Sequence, residues 1–249
     1  MAAGLLEVVD VSKSFAGVHA LQGVTLRIRE GAIVGLIGPN GSGKTTLLNC
    51  VAGAFAPTGG TISLDGEPIG GRPAYDLASH GIVRTFQNVR LFDRLTALQN
   101  VEISAIAAGK VGRGEARTHA KALLAQLGLG EHEDRYASTL SYGDQRRLEL
   151  ARALAAGPRF MLLDEPAAGM NEAESEQLRE SIDRIRRERK CGVLVVDHDL
   201  RLIMRLCDHI FVLNEGRVIS QGKPEAVRRD PAVIAAYIGE GEEQGKERE

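Results

Sequence analysis

The segment Ala32-Ile-Val-Gly-Leu-Ile37 is a short, continuous apolar run that stops abruptly in Gly38-Pro-Asn-Gly-Ser-Gly43-Lys44-Thr45. A run of that length without polar alternation predicts a strand buried on both faces, as in a parallel sheet. The glycine loop has the spacing Gly, four residues, Gly-Lys-Thr, and the pattern after it predicts a helix from Lys44 to Gly53. Glycines let successive backbone N–H groups point inward, and the helix N-terminus adds unsatisfied donors and the positive end of its dipole. Strand, loop and helix together predict a cradle for nucleotide phosphates. Its candidate binders are Gly38, Pro39, Asn40, Gly41, Ser42, Gly43, Lys44, Thr45 and Thr46, with Lys44 on the β and γ phosphates and the Thr45 hydroxyl in a magnesium shell.

A magnesium triphosphate needs a second, acidic anchor on a neighbouring strand. Phe160-Met-Leu-Leu163 buries a strand and delivers Asp164 at its carboxyl end, where open parallel sheets bind ligands. Asp164 is the candidate metal anchor, and Glu165 is placed to activate an attacking water. The 29 glycines fit such a chain: about 12% against a usual ~7%, they have no collagen period to absorb them. Gly53, Gly59 and Gly169 fall at expected turns.

Around this site the chain alternates. Residues 5–11 and 24–28 are β-branched runs flanking the turn-like Phe15-Ala16-Gly17 and predict an antiparallel layer. Thr61-Ile-Ser-Leu64 predicts another strand. Residues 90–157 are Ala-rich and Leu-spaced, with few β-branched residues, which predicts an inserted helical subdomain. Phe160–Leu163 and Gly192–Val196 are separated by a helix with Leu178, Ile182 and Ile185 on one face, a right-handed βαβ crossover in a parallel sheet. Residues 210–213 and 217–220, joined by Asn214-Glu215-Gly216, read as a hairpin. Residues 239–249 hold seven charges and no large apolar side chain, the composition of a flexible tail.

Lys+Arg of 31 against Asp+Glu of 33 gives a formal charge of -2, so nothing in the overall charge favours nucleic acid as a partner. The arginine-rich stretch 184–190 is interleaved with Glu188 and has the spacing of a solvated helix face. Cys50, Cys191 and Cys207 match no metal or redox motif and read as small buried hydrophobes in a reducing compartment. No apolar run approaches a bilayer span, and the first ten residues lack the basic start of a signal peptide. Any membrane role is therefore expected to run through a partner.

Between the two halves of the site stands Leu140-Ser-Tyr-Gly-Asp-Gln-Arg-Arg-Leu-Glu149. Ser141 followed three residues later by Asp144 has the form of a capping box opening a helix. The segment also closely resembles the signature of ABC-type ATPases, commonly Leu-Ser-Gly-Gly-Gln, and the order of the other motifs agrees over nearly the whole chain. The resemblance implies an α/β fold: a P-loop NTPase core with an antiparallel β subdomain and an inserted helical subdomain. One cassette would cover residues 5–238, with the core and β subdomain at 5–89 and 158–222, the helical lobe at 90–157 and C-terminal helices at 223–238. It implies ATP and Mg2+ as ligands, and a dimer that sandwiches two ATP molecules, so that Ser141, Gly143 and Asp144 meet the γ-phosphate held by the other subunit. Residue by residue, it implies that Phe15 stacks on adenine and that His198 contacts the γ-phosphate. Gln87 would touch magnesium and the attacking water and signal to a membrane subunit.

Three positions depart from the common form: Tyr142 and Asp144 replace Gly and Gln in the signature, and Asn171 stands where many relatives carry Asp. Together with Val83-Arg-Thr-Phe-Gln-Asn-Val-Arg-Leu-Phe92, Asp164-Glu-Pro-Ala-Ala-Gly169 and Ala236-Tyr-Ile-Gly-Glu240, they are similar to the ATP-binding subunits of bacterial branched-chain amino acid importers. That likeness implies a second cassette subunit, identical or related, and two integral membrane permease subunits. It also implies, indirectly, an external substrate-binding protein, and a peripheral place on the cytoplasmic face of the inner membrane. A cassette for another cargo, such as urea, amides or exported lipopolysaccharide, and a soluble non-transport ABC ATPase fit the same motifs.

Overall fold

The computed structural model of the chain describes residues 4–109 and 111–237. Ile238 and the expected tail at 239–249 lie outside the described residues. The chain opens with β1 (Leu5–Phe15) and β2 (Val18–Arg29), which pair antiparallel about the turn expected at Phe15-Ala16-Gly17. Next come β3 (Ile33–Ile37), α1 (Lys44–Val51), β4 (Gly59–Leu64), β5 (Glu67–Pro68), α2 (Ala74–Ser79) and β6 (Ile82–Arg84). The helical lobe holds α3 (Ala97–Ala107), α4 (Arg113–Gln126) and α5 (Tyr142–Ala155). After it run β7 (Phe160–Asp164), α6 (Glu172–Arg189), β8 (Gly192–Val196), α7 (Leu200–Leu206), β9 (His209–Asn214), β10 (Arg217–Gly222) and α8 (Pro224–Val227), with a last turn of helix over 231–237.

Two sheets result. The outer one is antiparallel, in the order β2-β1-β4-β5; the central one has the order β10-β9-β3-β8-β7-β6. In the central sheet β6, β7, β8, β3 and β9 are mutually parallel and β10 closes an antiparallel hairpin with β9. Every residue of β3, β7 and β8 is buried, because both faces of the sheet are covered. Period-two alternation divides the side chains. Leu36, Leu162 and Leu194 join the outer sheet and α1 in one core, while Leu163, Val193 and Val195 join α6 and the helical lobe in another. Because β3, β6, β7 and β8 run parallel, their carboxyl ends share one edge, which is what assembles the site.

The βαβ crossover, the hairpin and the helical insertion stand where the sequence pattern puts them. One turn does not: Gly59 lies inside β4. The positive-φ residue is its neighbour Gly60, at φ 78, where a Cβ would sit 2.2 Å from the Asp10 carbonyl oxygen. It meets β1 where the register between the two strands shifts, so it is a bulge glycine. All three cysteines are free and buried. Burial pushes the Cys191 thiol up to about 12 and raises Cys50 and Cys207 as well. The folded chain is therefore expected to react with a thiol reagent such as DTNB only as it unfolds; rapid titration of any thiol under native conditions would contradict the burial.

Candidate active site

The loop after β3 is held open by its glycines. At Gly38, φ is 149 and a Cβ would lie 2.0 Å from the Leu213 carbonyl oxygen; at Gly43, φ is 103 and a Cβ would lie 2.6 Å from that of Ala20. No other residue fits either place. Gly43 is also the N-cap of α1 and supplies no side-chain cap, whereas α3, α5, α6 and α7 are capped by Thr96, Ser141, Asn171 and Asp199. No side chain caps the start of α1, so its N–H groups and the positive end of its dipole favour an anionic acceptor. Lys44 folds back over the loop, its Nζ donating to the carbonyls of Gly38 at 2.7 Å and Pro39 at 2.6 Å. Asn40, Gly41 and Thr45 are exposed, Gly38, Gly43 and Thr46 are half-buried, and Pro39 and Ser42 are buried.

Opposite the loop, the ends of β6, β7 and β8 bring Gln87, Glu165 and His198 together. Gln87 Nε2 donates to Glu165 Oε2 at 2.7 Å, which leaves the amide oxygen of Gln87 as an acceptor. His198 Nδ1 lies 3.8 Å from the same Glu165 oxygen and 3.8 Å from Asp197 Oδ1. Glu165 adopts φ 46, a left-handed conformation that costs a non-glycine residue about 1–3 kcal/mol. The turn is held by the Glu165 N–H donating to the Val196 carbonyl at 2.7 Å, so strain is accepted where the carboxylate must be aimed. Asp197, 1% exposed, accepts from the N–H groups of Ala167 and Asp199. Burial raises its pKa above the usual aspartate value, opposed by those two hydrogen bonds. Asp197 thus braces the loop carrying Glu165 and the turn carrying His198.

Asp164 is buried and ion-paired: Arg84 Nη2 donates to its Oδ2 at 2.8 Å, and the other arm of Arg84 bonds Asn49 Oδ1 on α1. The Thr45 hydroxyl, the Gln87 amide oxygen and the Asp164 carboxylate are hard oxygen donors, the kind of ligand magnesium takes. Among the described residues no cluster of three His, Cys, Asp or Glu side chains forms a cage for a metal.

The signature lies on α5. Ser141 is exposed and caps the helix, accepting from the Asp144 N–H at 3.2 Å while its hydroxyl donates to Asp144 Oδ2 at 2.8 Å. The Asp144 carboxylate, 9% exposed, is turned into the lobe, where Arg147 pairs with it. Gly143 is buried against Glu174, whose carboxylate would lie 2.9 Å from a Cβ there. Phe15 is exposed at the end of β1, edge-on to Phe55 at 5.3 Å, with Lys13 Nζ 5.0 Å from its ring centre. Sequence reasoning missed Arg84, Arg146 and Asp197. Arg146 donates to the carbonyls of Phe86 and Gln87 and to Glu149, and so ties the signature helix to the Gln87 segment. The signal for Arg84 was a lone charge in an otherwise apolar strand, which has to find a partner if buried.

A nucleotide-phosphate loop, an acid pair at the end of a parallel strand two places away in the same sheet and a helical insertion carrying a capped signature define an ATP-binding cassette. The chain belongs to the ABC transporter family, which matches residues 21–168, and it is an ATPase of that class. A second family, described as branched-chain amino acid ATP-binding cassette transporter, matches residues 217–243. The chain is 43% identical to the high-affinity branched-chain amino acid transport ATP-binding protein BraF of Pseudomonas aeruginosa, over 96% of this chain and 100% of BraF. It is 41% identical to LivG of Escherichia coli, which has the same description, with the same coverage. Among solved structures, the ADP conformation of the cassette MJ1267 superposes with a TM-score of 0.87 at 29% identity, covering 95% of this chain and 99% of that one. The dimeric post-hydrolysis structure of the cassette MJ0796, bound to ADP and Pi, superposes with a TM-score of 0.78 at 30% identity, covering 88% and 98%.

Proposed function

We propose that this chain is the ATP-hydrolysing subunit of an importer for branched-chain amino acids, working beneath two membrane permease subunits that receive cargo from an external binding protein. The observation that carries this reading is the end-to-end similarity to BraF and LivG, reinforced by the match at 217–243. Similarity to transport ATP-binding proteins supports a peripheral place for the chain on the cytoplasmic face of the inner membrane; no helix among the described residues is long and apolar enough to cross a membrane.

The loop at 38–46 and the N-terminus of α1 bind the phosphates, with Lys44 leaving the Gly38 and Pro39 carbonyls to reach them. Phe15 offers its exposed face to adenine. Glu165 takes the proton of the attacking water, Gln87 positions that water and Glu165 together through its amide, and His198 contacts the γ-phosphate. Mg2+, held by Thr45, Gln87 and Asp164, supplies neutralisation of phosphate charge. Ser141, exposed at the capped start of its helix, and Gly143 behind it face the nucleotide of a second cassette. A groove between α2, β6, α3 and α5, walled by Tyr75, Phe86, Arg90 and Arg152, gives a permease segment access to the backbone next to Gln87. In liposomes holding the copurified membrane complex, branched-chain amino acids presented by the binding protein should stimulate ATP hydrolysis. Stimulation by a different cargo class alone would remove the importer assignment and leave the ATPase.

A further inference from the structure

Arg84 stands at a junction that the hydrolytic residues do not account for. It ends β6, three residues before Gln87, and its side chain is nearly buried, at 11% exposure, against an Asp164 side chain at 8%. One arm holds Asp164 Oδ2 at 2.8 Å and the other holds Asn49 on α1, the helix that begins with Lys44 and Thr45. The guanidinium also lies 5.2 Å from the ring centre of Phe86. A buried carboxylate requires a partner, and Arg84 is the one it has. The arrangement is nevertheless incomplete, because Arg84 Nε is buried without a hydrogen-bond acceptor. A buried polar network rigidifies its surroundings when every member is satisfied, and this one is short of an acceptor.

We propose that Arg84 is a stand-in cation for the metal: it neutralises and aims Asp164 while the site is empty, and gives the carboxylate up to magnesium when the metal–nucleotide complex enters. The inference rests on the reading of Asp164 as the metal anchor. A guanidinium beside the same carboxylate repels an incoming divalent cation, so Arg84 weakens metal binding in exchange for a stable empty state. It is a positioning residue, since its contacts are to Asp164 and Asn49.

The test is a Mn2+ titration of the full-length chain saturated with ADP, with free Mn2+ read by electron paramagnetic resonance. Arg84→Met is expected to bind Mn2+ at least about tenfold more tightly than the wild type, which corresponds to about 1.4 kcal/mol. Its ADP affinity in EDTA should stay within about twofold, and Arg84→Lys, which keeps the charge, should bind Mn2+ within about threefold of wild type. If Arg84→Met does not fold, Arg84→Gln, which can still bond Asn49, carries the same tenfold expectation. Unchanged or weaker Mn2+ binding in the neutral variant would overturn the inference, as would an equal change of ADP affinity with and without metal, the mark of a purely structural role. Asp164→Asn separates the two readings: wild-type Mn2+ affinity in that variant defeats Asp164 as the anchor, whereas its loss without a gain in Arg84→Met defeats only the stand-in role.

Discussion

Replacing Glu165 by Gln is expected to lower steady-state ATP hydrolysis by about 10²–10⁴-fold while leaving ATP bound. The substitution preserves shape: the new amide oxygen can still accept the Gln87 Nε2 hydrogen bond that Glu165 Oε2 now accepts at 2.7 Å. The left-handed turn is set by the backbone bond to Val196 and so survives. What is lost is the ability to take a proton from water. Binding energy from the loop at 38–46 is untouched, so ATP should accumulate in a paired form of the cassette. Phosphate release in a single turnover, together with the elution volume of the ATP-loaded variant, checks both halves. Turnover within about threefold of wild type would remove Glu165 as the base, because a general base contributes far more than that.

The parts of this site legible in the sequence are those whose geometry is local. A continuous apolar run ending in Gly38-Pro-Asn-Gly-Ser-Gly43 can do little but leave a buried strand and cradle an anion, and Asp164 and Glu165 are displayed by the same logic at the end of β7. Ser141 announced itself as a cap, and Asn171, a departure from the family's common residue, forms a full capping box with Glu174. The illegible parts depend on partners far away in the chain. Arg84 meets Asp164 across eighty residues, and Arg146 meets Phe86 across sixty; neither spacing leaves a periodic trace. The six-residue α2 and seven-residue α7 are too short for a 3.6-residue period to stand out, and the three-residue β6 is held by pairing with β7 rather than by its own pattern.

Arg146→Met is expected to destabilise the folded chain by about 3–5 kcal/mol, the usual consequence of removing one partner from a buried ion pair. The side chains of Arg146 and Glu149 are 3% and 9% exposed. Methionine fills the space but offers no donor to the carbonyls of Phe86 and Gln87 or to the Glu149 carboxylate. The loss should depend on pH in a definite direction. Burial already raises the Glu149 pKa above its ordinary value of 4.5, and the first force opposing it is the charge of Arg146. A carboxyl raised in the folded state contributes stability that is full below the unfolded value and lost as pH climbs through the folded one. Without Arg146 that window widens upward, so the deficit measured by chemical denaturation should be smaller near about pH 5 than near about pH 8. A deficit independent of pH would mean that the lost carbonyl contacts, not the stranded carboxylate, dominate. Adding Glu149→Leu removes the stranded charge and should recover most of the stability, since apolar replacements of a whole buried pair are commonly neutral or better. It cannot return a donor to the Gln87 carbonyl, so ATP turnover in the double variant should remain depressed. Stability and catalysis thus part at this one arginine: Glu149 needs its charge, and Gln87 needs its reach.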